Sequence, residues 1–187
     1  MIVNVWASSD WHLGHAKIRE YCKSRPQDHE SVILQSYYRD VKPCDTVFLL
    51  GDMVLRWGEE GREWWNQIRQ LPGRKILVKG NHDHYSAAKL LRLGGFESVW
   101  PEEFEYTTSQ GIKLLLSHVP MVTTAFDDRY AGWRQRVRDT FVRGKFDLNI
   151  HGHTHERNTG DSQCVNVSVE NTEFAPVLLD SFQAVEA

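Results

Sequence analysis

Two β-sheets packed face to face, with helices on their outer sides, are the architecture that the sequence predicts. Three observations predict it. Short apolar runs alternate with helix-period segments through the first half of the chain, and strand-like runs dominate the second half. Several of these runs also end on a cluster of Asp, Asn and His instead of an ordinary turn. Alternation gives a sheet with helices against it, the strand-rich half supplies a second sheet, and polar groups at strand ends are where layered α/β proteins place their chemistry. The expected class is therefore α/β with α+β character.

Ile2 to Ala7 is short, apolar and β-branched and reads as the first strand, ending in Ser9-Asp10-Trp11-His12. From Gln27 or Asp28 to Arg39, Val32, Ile33, Ser36 and Tyr37 recur at helical steps behind Pro26, and Pro43 helps to end the segment. Thr46 to Leu50 is a buried strand closed by Gly51-Asp52, where a carboxylate is costly to bury unless a partner or a metal satisfies it. Glu59 to Gln70 is a helix whose Trp64 and Trp65 read as packing residues. Pro72-Gly73 introduces a strand from Arg74 to Lys79, closed by Gly80-Asn81-His82-Asp83, and Ser86 to Leu93 is a short helix closed by Gly94-Gly95. Phe96–Trp100, Glu103–Thr107 and Ile112–Ser117 read as strands, the last followed by His118. Asp147 to Ile150 is another, followed by His151-Gly152-His153-Thr154-His155. Cys164–Val169 and Ala175–Leu179 read as a closing hairpin with Asn171 in its turn.

One stretch departs from the alternation. Arg129, Arg134, Arg136, Arg138, Arg143 and Lys145 face a single acid, Asp139, while Trp133, Val137 and Phe141 form one apolar helical stripe. The plainer reading is a solvated helix face, and the sharper one a basic wall for a substrate phosphate or a nucleic-acid backbone. With no internal repeat and no linker, residues 1–187 read as one domain carrying a basic helical insertion at about 123–145.

Bulk properties narrow the chemistry. A net charge of −3 argues against a general nucleic-acid coat. Three scattered cysteines, with no CxxC pair, point away from a disulfide scaffold and from a thiolate zinc site. Cys44 and Cys164 read as small core hydrophobes, which weakens a thiol-enzyme reading. No run approaches membrane-spanning length and no basic leader precedes an apolar core, so a reducing, cytoplasmic setting without a membrane partner is expected.

The groups at the strand ends are Asp10, His12, Asp52, Asn81, His82, His118, His153 and His155. Carboxylate, imidazole and amide-oxygen donors suit borderline cations such as Mn2+, Fe2+, Zn2+, Co2+ or Ni2+, and suit Ca2+ poorly. Seven ligands drawn from these eight groups exceed one ordinary site and fit two that share a carboxylate. Two such ions about 4 Å apart form a clamp for in-line displacement at phosphorus.

In their order, Asp10-Trp11-His12, Gly51-Asp52, Gly80-Asn81-His82-Asp83, Ser117-His118 and Gly152-His153-Thr154-His155 resemble the blocks of the calcineurin-like metallophosphoesterase superfamily. Ser9 to Ile18, Asn166 to Glu170 and Phe174 to Val177 look like a small branch found in bacteria and phages. The resemblance implies the calcineurin-like phosphoesterase fold, a four-layer αββα sandwich of two mixed sheets. It implies Asp10, His12 and His155 on one metal, Asn81, His118 and His153 on a second, and Asp52 bridging them beside a hydroxide. His82 would protonate the leaving group, and Asp83 would orient His82 or its loop. Mn2+ is the first expectation for both ions. His15 and His84 are candidates for substrate contact, Arg56 for lining the pocket, Arg129 and Arg134 for the basic wall, His151 for orienting a ligand, and His29 for plain helix surface.

Leu55 stands where the protein phosphatase branch has a second Asp, so a phosphoprotein phosphatase role is disfavoured. The implied activity is a metal-dependent phosphodiesterase on a small phosphoester or nucleotide, with a nucleic-acid end as a further possibility through residues 129–145 and no obligate protein partner. Alternatives are a phosphomonoesterase, or a non-catalytic metal-stabilised module that binds nucleic acid or a partner.

Overall fold

The computed structural model describes residues 3–56, 58–122 and 129–183. Ile2, expected to begin the first strand, and residues 123–128 of the basic segment lie outside the described residues. In chain order the elements are β1 (Val5–Ser8), α1 (Ile18–Tyr21), α2 (His29–Asp40), β2 (Thr46–Leu49), α3 (Gly58–Gln70), β3 (Arg74–Val78), α4 (Ala87–Gly94), β4 (Ser98–Trp100) and β5 (Glu103–Thr107). They continue with β6 (Lys113–Ser117), α5 (Ala131–Gly144), β7 (Leu148–His151), β8 (Cys164–Asn166) and β9 (Val177–Leu178). One sheet has the order β4-β3-β2-β1-β9, parallel except for β9; the other has the order β5-β6-β7-β8, parallel except for β5.

The two-residue period of the strands builds three apolar layers from single strands. On β2, Val47 and Leu49 face the helices with Ile33, Tyr37, Trp65 and Leu90, whereas Phe48 faces the other sheet with Leu50, the residue that follows the strand. On β6, Leu114 and Leu116 join Phe48 between the sheets, and Leu115 packs with Val137 and Phe141 of α5. Helices, sheet, sheet and helix therefore form the four expected layers. No described helix is long and apolar enough to cross a membrane. Ser86 caps α4 by accepting from Lys89 N–H, and Gly95 ends it in the left-handed conformation, in keeping with the expected Gly94-Gly95 closure.

The expected closing hairpin is overturned. β8 pairs in parallel with β7 in the second sheet, and β9 pairs antiparallel with β1 in the first. Of the first run, Cys164–Val169, only Cys164–Asn166 is strand; Val169–Asn171 is a 3-10 turn on the way from one sheet to the other. Two apolar runs around an Asn read locally as a hairpin, but partner choice is a long-range matter. His29 is buried, not surface, at 3% exposure. It lies beside Arg25 and Glu30, which lower and raise its pKa respectively, while burial lowers it most. The short helix α1 was not foreseen, since four residues carry no readable period.

Candidate metal centre

The polar groups leave the ends of β1, β2, β3, β6 and β7, which all point to one edge of the paired sheets. The connecting loops are braced across one another. Asp10 N–H donates to Gly51 O at 3.1 Å, His12 N–H to Asp52 O at 2.9 Å, and Gly152 N–H to His118 O at 3.0 Å. Ser9 and Ser168 form an isolated parallel bridge that continues β1 beside the end of β8. The buried Asp83 carboxylate accepts from the N–H groups of both Asp52 (2.9 Å) and Gly80 (2.8 Å). Asp83 thus orients the loop. Its pKa is pushed up to about 6 by burial and by the neighbouring Asp52 charge.

Asp10, His12 and His155 come together on one side. His12 Nε2 lies 3.7 Å from Asp10 Oδ1, and His155 Nε2 lies 3.8 Å from the same oxygen. On the other side His118 Nε2 is 2.9 Å from Asn81 Oδ1 and 3.2 Å from His153 Nδ1, which itself is 2.8 Å from Asn81 Oδ1. Asp52 lies between them: its Oδ2 is 3.7 Å from His12 Nε2 and 3.4 Å from His118 Nε2. Asp10–His12–His155 and Asp10–Asp52–His118 each offer donor atoms close enough for one ion. A gap of 3.7 Å is too long for a hydrogen bond. It suits two donors that grip one cation at about 2.1 Å each.

The fit to cations rests on more than spacing. Among the described residues, Asp10 Oδ1 and His12 Nε2 are buried without a hydrogen-bond partner, a costly arrangement that a cation would satisfy. His118 Nδ1 donates to Leu50 O at 2.8 Å, which leaves Nε2 facing the cluster. Burial would raise the Asp10 carboxyl, but His12, His155 and His118 outweigh it and hold it well below the usual range. Asp52, likewise opposed by His118 and His12, stands at about 2. Against their own burial, His118 is lifted to about 9 by Asp52 and Asp10, and His155 to about 11 by Cys22, Glu170 and Asp10. Burial and the His118 charge depress His153 to about 3. The carboxylates thus recruit positive charge onto imidazoles, and divalent ions would supply that charge and release the protons.

His82 N–H donates to Asp52 Oδ1 at 2.8 Å, and its ring, 40% exposed, keeps Nε2 3.9 Å from Asp52 Oδ2. Burial lowers its pKa, partly opposed by the Asp52 charge. A cleft of about 350 Å³ opens over Asp52, Asn81, His82, His153 and His155, with Tyr21, Arg129, Tyr130, Arg134 and Arg157 on its walls. Arg56 and His84 instead line a smaller hollow behind His82, where Arg56 pairs with Glu60 at 3.3 Å. The His15 ring sits 5.6 Å from that of His12, and burial drops its pKa to about 4. His151 is buried and donates from Nδ1 to Gly152 O, the carbonyl just before His153. The basic segment divides. Arg129 and Arg134 reach the cleft, while Arg136 makes a two-pronged pair with Glu102 at 2.9 and 2.7 Å.

The family model for calcineurin-like phosphoesterases matches residues 3–157, a span that holds every group of the cluster. The chain belongs to the calcineurin-like phosphoesterase family. The gene 66 protein of Mycobacterium phage L5 is similar to it at 31% identity over 169 residues, covering 81% of this chain and 77% of that protein. The gene 66 protein of phage D29 is 29% identical over 170 residues, covering 82% and 79%. A crystal structure of a protein of unknown function from Aquifex aeolicus superposes with a TM-score of 0.83 at 30% identity, over 95% of this chain and 96% of that one. Membership in the calcineurin-like family, together with the donor clusters, supports metal-dependent hydrolase chemistry.

Sequence reasoning gave no site role to Arg25, Ser168, Glu170 or Asn171. Glu170 and Ser168 lie in a stretch noted only for its likeness to a family branch. Arg25 follows no strand, so nothing in its surroundings marked it.

Proposed function

We propose that this protein hydrolyses a phosphodiester with two divalent cations, Asp10, His12 and His155 holding one, Asn81, His118 and His153 the other, and Asp52 shared. The observation that carries this reading is the placing of Asp52 Oδ2 3.7 Å from His12 and 3.4 Å from His118, between the two donor sets. Mixed nitrogen and oxygen donors are compatible with Mn2+, Ni2+, Fe2+, Zn2+ and Co2+, and Mn2+ is the first ion to try. When bound, the ions would polarise the phosphoryl oxygens and lower the pKa of water. The protein orients the ester in the cleft, and His82 Nε2 gives its proton to the departing oxygen. Arg129, Arg134 and Arg157 on the walls suit a substrate with further anionic oxygens, such as a nucleotide or the end of a nucleic-acid strand.

The test is turnover of an aryl phosphodiester by Mn2+-loaded protein, beside an aryl monophosphate, cyclic nucleotides and single-stranded ends. The diester is expected to be preferred. His82→Ala should lower kcat by about 10²–10⁴-fold on the cyclic nucleotides and single-stranded ends, whose leaving groups are alkoxides, with the metal content unchanged. No turnover with either Mn2+ or Ni2+ refutes the proposal.

A further inference from the structure

Glu170 and Arg25 form an ion pair whose two side chains are fully buried, at 0% exposure each, with Nη2 and Glu170 Oε1 2.8 Å apart. Buried pairs of this kind seldom stabilise a fold better than apolar packing would. What this pair touches gives it another role. Glu170 Oε1 also takes a 2.8 Å hydrogen bond from His155 Nδ1, leaving His155 Nε2 directed at Asp10. Arg25 Nε donates to the same oxygen at 2.8 Å, while Nη1 donates to Trp11 O at 2.8 Å and Nη2 to Asp10 O. One guanidinium therefore links the loop of Asp10 and His12 to the carboxylate that holds His155.

The rest of the 166–171 stretch works on the same two ligands. Ser168 Oγ donates to Asp10 Oδ2 at 3.0 Å. Asn166 Nδ2 donates to His155 O at 2.8 Å, and Asn171 Nδ2 donates to that carbonyl as well. A carboxylate on the far nitrogen of a ligating imidazole fixes its tautomer and raises its basicity.

We propose that Glu170, anchored by Arg25, is a positioning residue that holds His155 in the Nδ1–H tautomer with Nε2 presented to the first cation, and that the 166–171 turn exists to preset this half of the centre. The inference rests on the reading of Asp10, His12 and His155 as ligands of one ion.

Calorimetric titration of Mn2+ into the full-length apo protein tests it, with circular dichroism to check the fold. The wild type should take up two ions. Glu170→Gln, which keeps an acceptor but loses the charge, should weaken one site by about 10–100-fold and leave the other unchanged. His155→Ala should weaken the same site, and Glu170→Gln on top of it should add no further loss, because the carboxylate acts through the imidazole. Wild-type affinity at both sites in Glu170→Gln, or losses that add in full, overturns the proposal. A purely structural role would move both sites together, and that outcome overturns it too. If the variant does not fold, 15N-histidine NMR of the Zn2+-loaded wild type decides: His155 must be protonated at Nδ1, and the reverse tautomer overturns the inference. Wild-type protein that binds no cation removes this inference and the reading beneath it. Two wild-type sites with an indifferent Glu170 remove this inference alone.

Discussion

Gly152 separates His151, the last residue of β7, from His153, and the space for a side chain there is already taken. A Cβ at this position would fall inside the 3.0 Å that real Cβ atoms keep from their neighbours, against both Ser9 Oγ and Asp10 Oδ2. Neither atom can swing away cheaply. Ser9 Oγ donates to Leu50 O at 2.8 Å. Asp10 Oδ2 accepts from His153 N–H at 2.8 Å and from Ser168 Oγ at 3.0 Å. Ordinary contact begins at 3.4 Å, so Gly152→Ala needs a displacement of about 1 Å, and overpacking of that order costs about 1–3 kcal/mol.

The functional cost should be larger than the thermal one. Metal–ligand distances tolerate about 0.2 Å, and a misplacement of about 1 Å can lose about 10²-fold in rate. The variant is expected to melt several degrees lower, to bind one Mn2+ at least ten-fold more weakly by calorimetry, and to lose about 10²-fold in kcat/KM. Gly160→Ala is the control: its φ of +78° brings backbone strain, but nothing lies within 4 Å of the added methyl. It should lose some stability and keep both metal affinities. Undiminished metal binding in Gly152→Ala would refute the claim that the close approach of the two loops fixes Asp10.

Three further outcomes can be checked. If His82 protonates the leaving oxygen, His82→Ala should cost little on esters with acidic aryl leaving groups and about 10²–10⁴-fold on alkyl ones; equal losses on both would place its role elsewhere. Asp45 accepts from the N–H groups of Asn4 and Lys42 and the indole of Trp6, at 2.9 to 3.1 Å. Burial would raise its pKa, but those bonds lower it, so its stabilisation is present above the unfolded value of about 3.9 and is lost as pH falls through the lower folded value. Asp45→Ala in apo protein should therefore lose about 1–3 kcal/mol at pH 7 and show a shallower acid limb in urea melts, and an unchanged limb contradicts this. Chelation should lower the melting temperature and readdition of Mn2+ restore it, a stabilisation of about 2.7 kcal/mol for each site at a hundred-fold excess over its Kd.

The sequence showed the cluster more plainly than the scaffold behind it. Asp10, His12, Asp52, Asn81, His118, His153 and His155 each follow an apolar run, and strand ends on one edge of parallel sheets must converge. How these groups would divide between two ions came only from the family resemblance. The layers were legible for a similar reason, since Val47, Phe48 and Leu49 already alternate along one strand. What failed was whatever depends on distant partners. β8 and β9 looked like a hairpin because nothing local says that β9 returns to β1. His29 looked exposed because one His on a polar helix gives no sign of what packs over it. Arg25 and Glu170 are 145 residues apart, and no pattern in one sequence links them.

The backbone marks the same site without reference to any motif. Eight non-glycine residues among those described have positive φ, and five of them are Asp10, His12, Asp52, His153 and His155, at 50° to 67°. Left-handed backbone costs about 1–2 kcal/mol for a residue with a Cβ, and Asp and His bear it more easily than branched residues. In an extended strand, residues two apart have Cα atoms nearly 7 Å apart, about twice the 3.4 Å rise. Asp10 and His12 nevertheless bring Oδ1 and Nε2 to 3.7 Å. Left-handed turns at both residues fold the chain back on itself, and those at His153 and His155 do the same for the loop after β7. Such turns persist only where the surroundings hold them, and here the hydrogen bonds from Asp10 to Gly51, from His12 to Asp52 and from His153 to Asp10 do so. The strain and the cross-bracing are therefore one feature: the loops grip each other because neither would keep its shape alone, and that grip sets the donor spacing.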